Sequence, residues 1–340
     1  MERERGIPEP EPPLRLAGDG EFDLIRRFFA RSPPVPRPDV WVGPGDDCAV
    51  VVGGGIALST DMSVEGVHFR RDWLSFREIG FRAAAAALSD LAAMAARPIG
   101  VLVSLALPDG DAAGPAVEVM NGVRAVTEAV GGTVLGGDVT RSPGPLVVDV
   151  TVVGEAVRPV LRSGAEPGDE VWVTGELGAS ALAVGRLLRG ETPPPGARER
   201  FARPVPRVRE ALWLRERGVL KAMVDLSDGL VGDAAHLSAA SGVAVLLVAE
   251  LLPVHPEVRE AVAPDEAVRL AVAGGEDYEL CFAAAVGAVE SHVARFERET
   301  GVRLTPVGRI GGGDGVWWSG ADGHRTPIGF RAYQHFGEGT

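Results

Sequence analysis

Gly43-Pro44-Gly45-Asp46-Asp47-Cys48-Ala49 sets two adjacent carboxylates directly behind a glycine–proline–glycine turn. Adjacent carboxylates repel, so keeping both ionised on a tight turn costs free energy unless a cation lies between them. Asp and Gly are also ordinary turn residues, and a solvated turn would carry the same letters. The placement recurs, however. Asp61 follows Ser59-Thr60, Asp90 follows Ser89, Asp138 follows Gly136-Gly137, and Asp225 and Asp228 flank Ser227. Most of these are expected at strand ends, several beside glycine, where backbone approaches closely and where open α/β sheets bind ligands. Helix capping is the competing reading for Asp225 and Asp228. Oxygen-rich clusters of this kind suit Mg²⁺, which takes one or two carboxylates together with water and substrate phosphates.

The charge balance sharpens that reading. A formal net charge of −13 argues against a nucleic-acid partner. Lys221 is the only lysine. No Gly-x-x-x-x-Gly-Lys-Ser/Thr loop is present, and no strand lysine precedes a His-Arg-Asp loop, which excludes P-loop and protein-kinase folds. An acidic chain would repel a polyphosphate, and Mg²⁺ bridging carboxylate and phosphate removes the conflict. The residues alone therefore point to Mg²⁺-dependent handling of phosphorylated ligands. Cys48 and Cys281 have neither a disulfide framework nor zinc spacing, and Cys48 reads as a small buried residue. His236, His255, His292, His324 and His335 show no metal-ligand spacing. The apolar runs are far short of a membrane span, and the start of the chain lacks the apolar stretch of a secretory signal, so a cytoplasmic protein is expected.

The elements that must position these groups follow from periodicity and punctuation. Residues 1–18 are rich in Pro, Glu and Arg and read as a flexible leader. A helix is expected from about Glu21, then strands at Ala49–Val52 and at Ile56–Thr60, the second ending at Asp61. Ser75 caps a long helix through Ala96, with Ala83–Ala87 as its closely packable middle and Pro98 as its stop. A strand over Ile99–Leu107, a helix over Ala112–Val130, a short strand into Gly136-Gly137-Asp138 and a long strand over Leu146–Val157 complete a domain at 19–157. The pattern resets near Arg158–Gly168, opening a second domain at 158–340. There Glu170–Thr174 and Ala222–Val224 read as strands, Leu177–Leu188 and Val205–Arg217 as helices, and Glu191–Gly196 as a proline-rich loop. Gly274-Gly275-Glu276-Asp277 is a loop before a strand over Tyr278–Phe282. Alternating strands and helices in both halves predict α/β or α+β layering.

Taken in order, Gly45-Asp46-Asp47-Cys48-Ala49, Ser59-Thr60-Asp61 with His68-Phe69, Leu88-Ser89-Asp90-Leu91-Ala92-Ala93-Met94, Gly136-Gly137-Asp138, Arg162-Ser163-Gly164-Ala165, Asp225-Leu226-Ser227-Asp228-Gly229-Leu230 and Gly274-Gly275-Glu276-Asp277-Tyr278-Glu279-Leu280 resemble the thiamine-monophosphate kinase family. The resemblance runs from about Gly20 to Phe336, and its ordered set is far more specific than any one motif. It implies the fold of the aminoimidazole ribonucleotide synthetase superfamily: an N-terminal domain whose mixed sheet forms a barrel-like homodimer interface, and a C-terminal α/β domain completing the cleft. It implies transfer of the γ-phosphoryl of ATP to thiamine monophosphate. By similarity Asp47, Ser59, Thr60, Asp61, Asp90, Asp138, Asp225 and Asp228 hold several Mg²⁺ ions. Gly137, Asp138, Arg162 and Ser227 contact ATP, and His68, Glu276 and Phe330 contact the thiamine ligand.

The chain departs from the pattern in places. Phe330 stands where the family often has Trp, a better partner for a thiazolium cation. Ala87 replaces an Asn, and Pro44 a small aliphatic residue. The implied acceptor is a phosphate monoester with a second pKa near 6, so at neutral pH it needs no general base. Positioning and charge shielding are the tasks, and neither a nucleophilic residue nor a phosphoenzyme is expected. The alternatives are another ATP-dependent enzyme of the superfamily and a non-catalytic nucleotide-binding protein. No Cys precedes Cys48, against a selenophosphate synthetase, and the intact carboxylates argue against lost catalysis.

Overall fold

The computed structural model describes residues 40–42, 46–51, 53–108, 113–320, 322 and 324–329. The expected leader, the helix from Glu21, the Gly43-Pro44-Gly45 turn and Phe330 lie outside them.

The N-terminal half is a six-stranded sheet in the order β1-β2-β3-β6-β4-β5. Its strands are β1 (Val40–Val42), β2 (Ala49–Val51), β3 (Ile56–Val64), β4 (Arg97–Pro108), β5 (Thr133–Ser142) and β6 (Val147–Glu155). All pairs are antiparallel except β4–β5. Period-two alternation sets the faces. Val101, Val103 and Leu105 of β4 and Val148, Val150 and Val152 of β6 are buried, while Leu102 and Ser104 are exposed. Two helices cover the buried face: α1 (Phe76–Ala93) and α2 (Ala113–Ala129). They cross at glycines. A Cβ on Gly80 would fall 1.9 Å from Val119 O, and one on Gly122 would fall 1.9 Å from Arg77 O. Ser75 and Glu78 form a reciprocal capping box at the start of α1.

The second half is a seven-stranded sheet in the order β13-β12-β9-β11-β7-β10-β8. In chain order its elements are β7 (Glu170–Thr174), α3 (Ala179–Leu188), α4 (Pro195–Ala202), α5 (Val208–Glu216), β8 (Ala222–Asp225), α6 (Leu230–Ser241) and β9 (Ala244–Leu247). There follow α7 (Pro256–Ala261), α8 (Pro264–Ala273), β10 (Leu280–Ala284), α9 (Glu290–Thr300), β11 (Leu304–Gly311), β12 (Val316–Ser319) and β13 (Arg325–Pro327). Trp172, Met223 and Phe282 face α5 and α9, while Val173, Val224 and Cys281 belong to the core with α3, α6 and α8. Helix α1 lies between the sheets: all its alanines but Ala86 are buried, and Ala92 joins the core of the second sheet.

Two expectations are corrected. β3 continues to Val64 and β5 to Ser142, so Asp61 and Asp138 stand inside strands rather than at strand ends. β3 keeps its partner β6 along its whole length. In β5 the glycine pair follows a bulge at Leu135, between the Val101–Val134 and Leu102–Gly136 pairs, and does not end the strand. The proline-rich stretch also gives way to α4, with Pro195 in the first helical turn where its missing N–H costs nothing.

Candidate active site

Three segments deliver buried and half-buried carboxylates to one place. The turn before β2 carries Asp46 and Asp47, α1 carries Asp90, and β8 ends on Asp225. Asp47, Asp90 and Asp225 each offer an oxygen, and the three atoms lie within 4.8 Å of one another. Ser59 Oγ of β3 donates to Asp90 Oδ2 at 2.5 Å. Burial, and next the neighbouring Asp61, push the Asp90 carboxyl well above the usual range. Asp225 is pushed up to about 8 by burial and then by Asp47. Asp46 is pushed up to about 7, again by burial first and Asp47 second. Like charges crowded together away from water raise one another's pKa values.

Among the described residues, the cation that pairs with this cluster is Arg162. Its Nε and Nη2 donate to both oxygens of Asp47, at 2.9 and 2.8 Å, and its backbone N–H donates to Asp46 Oδ2 at 3.2 Å. Ser89 Oγ lies buried at this centre, beside the Asp225 carboxyl.

The structure groups the other candidates differently. Asp228 joins Asp233 and His236 of α6 in a second cluster within 4.8 Å, and its N–H donates to Asp233 Oδ2 at 3.1 Å. Burial lowers the His236 pKa to about 3, so the imidazole is neutral. The sequence reading gave His236 no metal-ligand role; the signal was the three-residue spacing from Asp233, which sets both on one helix face. Thr60 points to the other face of the sheet from Ser59, where its hydroxyl donates to Asp149 Oδ1 at 3.2 Å. Asp138 pairs with Ser104, in one row with Asp149, and is exposed. Neither Thr60 nor Asp138 belongs to the Asp47–Asp90–Asp225 cluster. Gly137 can only be glycine: a Cβ would sit 1.8 Å from Val103 O. His68 Nδ1 accepts the Val64 N–H at 3.0 Å, which closes the turn after β3.

The loop 274–279 divides its acids among separate tasks. Glu276 pairs with Arg82 of α1. Asp277 accepts the Gly178 N–H at 2.8 Å, at the start of α3. Glu279 is fully buried, paired with Arg207 and Arg200, and accepts the Thr174 hydroxyl at 2.7 Å. The Glu276 and Tyr278 N–H groups donate to Ser227 O at 2.7 Å and Leu226 O at 2.9 Å, which fastens this loop to the β8–α6 junction.

Comparison with known proteins places this architecture. Residues 45–156 match the N-terminal domain, and residues 166–318 the C-terminal domain, of AIR synthase related protein. The two sheets with their shared carboxylate cluster thus define an AIR synthase related protein. Within that class, the chain is 34% identical over 330 residues to the thiamine-monophosphate kinase of Salmonella typhimurium, covering 93% of this chain and 98% of the relative. The crystal structure of thiamine-monophosphate kinase from Stenotrophomonas maltophilia is 35% identical, with a TM-score of 0.73 over 90% of this chain and 98% of that one. AaThiL complexed with AMPPCP and TMP is 30% identical, with a TM-score of 0.80 over 93% of this chain and 97% of that one. The chain belongs to the thiamine-monophosphate kinase family.

Proposed function

We propose that the chain transfers the γ-phosphoryl group of ATP to thiamine monophosphate, giving ADP and thiamine diphosphate. The observation that carries this reading is the largely buried Asp47–Asp90–Asp225 cluster, built from both halves of a chain of this family. A divalent cation fits it. The donors are hard oxygens, and burial and mutual repulsion drive Asp90 and Asp225 toward protonation. Asp47, Asp61, Asp90 and Asp225, with Ser59, would hold Mg²⁺ at this centre, and Asp228 beside it. Bound Mg²⁺ would supply the positive charge that lets two phosphates approach.

The chain's own groups do the rest. Arg162 and the Ser227 segment face the nucleotide in this reading, and His68, Glu276 and Phe330 the acceptor. No side chain need remove a proton, because the acceptor phosphate is largely deprotonated at neutral pH. Direct in-line transfer without a phosphoenzyme follows.

Gly137, Thr60 and Asp138 enter through a second copy of the chain, as a homodimer. Among the described residues β5 has one unpaired edge; it is exposed over nearly its whole length, and Met62, Leu102 and Val139 are 58%, 41% and 63% exposed. A long exposed edge strand beside apolar side chains is a surface that another chain covers. Asp138 and Gly137 on that strand would contact ATP, with Asp138 and Thr60 adding metal ligands. No described helix is long and apolar enough to cross a membrane, and the cytoplasm, where ATP and Mg²⁺ are abundant, is the proposed location.

Incubating the purified chain with ATP, Mg²⁺ and thiamine monophosphate tests the function. Thiamine diphosphate should form, and EDTA should stop it. ATP hydrolysis without thiamine diphosphate would overturn the reading.

A further inference from the structure

Arg82 lies on α1, in the N-terminal half, yet its partners all belong to the other half. Its Nη1 donates to Phe201 O at 2.6 Å, its Nη2 pairs with Glu276, and its guanidinium lies 4.4 Å from the centre of the Phe201 ring. The residue is 5% exposed. A buried cation whose fork reaches two separate acceptors and whose face stacks on a ring is held in one orientation. Glu276 is held from its backbone as well. It adopts φ 70°, a left-handed conformation unusual for a side-chain-bearing residue, while its N–H is fixed by Ser227 O at 2.7 Å. Arg82 takes Oε1 of Glu276; among the described residues Oε2 has no partner, and 28% of the side chain is exposed.

Arg82, Ser89 and Asp90 share one helix. Seven residues are two turns, so Arg82 and Ser89 lie on the same face, with Asp90 one position on. Eight residues advance about 12 Å along the axis. One rigid helix therefore fixes both ends of a strip: a carboxylate oxygen open to a ligand at one end, and the carboxylate cluster at the other. That spacing is comparable with the span of a phosphorylated two-ring ligand lying along the helix.

We propose that Arg82 is a positioning residue that sets the acceptor's distance from the carboxylate cluster, by locking Glu276 to the helix that carries Asp90. The proposal rests on the reading of Glu276 as an acceptor contact. Arg82 touches no substrate in this account; it orients the Glu276 carboxylate so that Oε2 accepts from an amino group of the ring end.

The test is steady-state kinetics on Arg82→Gln, Arg82→Lys, Glu276→Gln and the double variant Arg82→Gln/Glu276→Gln, with melting temperatures alongside. Arg82→Gln should raise the KM for thiamine monophosphate about tenfold or more, as expected for losing a charge-assisted contact, and leave the KM for ATP within about twofold. Arg82→Lys should recover part of the loss, since a single ammonium keeps the charge without the fork. The double variant should be no worse than the poorer single variant, because the two residues act as one unit. If Glu276→Gln leaves the KM for thiamine monophosphate unchanged, the acceptor reading of Glu276 falls, and this proposal with it. If Glu276→Gln raises that KM and Arg82→Gln does not, the positioning role alone is wrong. Should Arg82→Gln fail to fold, Arg82→Lys decides: a rise confined to the thiamine monophosphate KM supports the role, and equal rises in both KM values overturn it.

Discussion

Arg162 and Asp47 form a two-point ion pair at the centre of the molecule, 2.9 Å from Nε to Oδ2 and 2.8 Å from Nη2 to Oδ1, with the Asp47 side chain only 1% exposed. The pair ties the segment after β6 to the turn before β2, and it balances charge where Asp46, Asp90 and Asp225 also converge. Removing one partner of a buried pair leaves an uncompensated charge, at a cost of about 3–5 kcal/mol. Arg162→Gln should therefore lower the melting temperature of the metal-free protein by several degrees. Mg²⁺ should raise the melting temperature of the variant more than that of the wild type, because a cation then replaces the missing guanidinium. Thermal melts with EDTA and with Mg²⁺ check both, and an unchanged metal-free melting temperature would count against the pair.

Asp90→Asn should separate stability from activity. The Asp90 carboxyl already sits far above its usual pKa through burial and the proximity of Asp61, so an amide of the same shape relieves repulsion. The metal-free melting temperature should hold or rise, while the rate falls by about a hundredfold or more with loss of a group that stabilises transferring charge. Asp61→Asn should behave alike. A variant with normal turnover would remove its carboxylate from the proposed metal set.

The pH dependence of stability has a worked sign. Burial pushes Asp277 up to about 8, against an ordinary value of 3.8. A carboxyl whose folded pKa is raised contributes stability that is complete below the unfolded pKa and is lost as pH rises through the folded one. The wild-type melting temperature should thus decline from about pH 4 to pH 8. Asp277→Asn should flatten part of that decline while its amide oxygen still accepts the Gly178 N–H. Parallel slopes in variant and wild type would show that Asp277 does not titrate in this window.

The exposed β5 edge leads to an assembly prediction. Light scattering at micromolar concentration should give twice the mass of one chain. Val139→Asp, which sets a charge on a residue 63% exposed in the single chain, should shift that mass toward one chain. A wild-type monomer would refute the dimer.

Much of this was legible in the letters, for physical reasons. The Ser75–Glu78 capping box and the alanine run gave α1 and its close packing, and the alternation of Val148, Val150 and Val152 gave the inward face of β6. Asp47, Asp90 and Asp225 could be named as candidate ligands because short acids beside glycine or serine recur along the chain, and the structure brings these three together. What spacing could not give was which acids meet. Asp61 and Asp138 looked alike beside expected strand ends, but pairing with β6 and β4 carries both strands onward. Alternation along β3 separates Asp61 from Thr60, and the strand order sets Asp138 on the edge strand β5. Arg82 was invisible because its role depends on Phe201 and Glu276, more than a hundred residues away.

Transfer of the labelled γ-phosphoryl group is the most direct test of the central claim. The purified chain would be mixed with Mg²⁺, γ-³²P-labelled ATP and thiamine monophosphate, and the products separated by chromatography. The label should appear in thiamine diphosphate, in step with ADP, and none should remain on the protein during a single turnover. Label found only in inorganic phosphate, or trapped on the chain, would contradict the account.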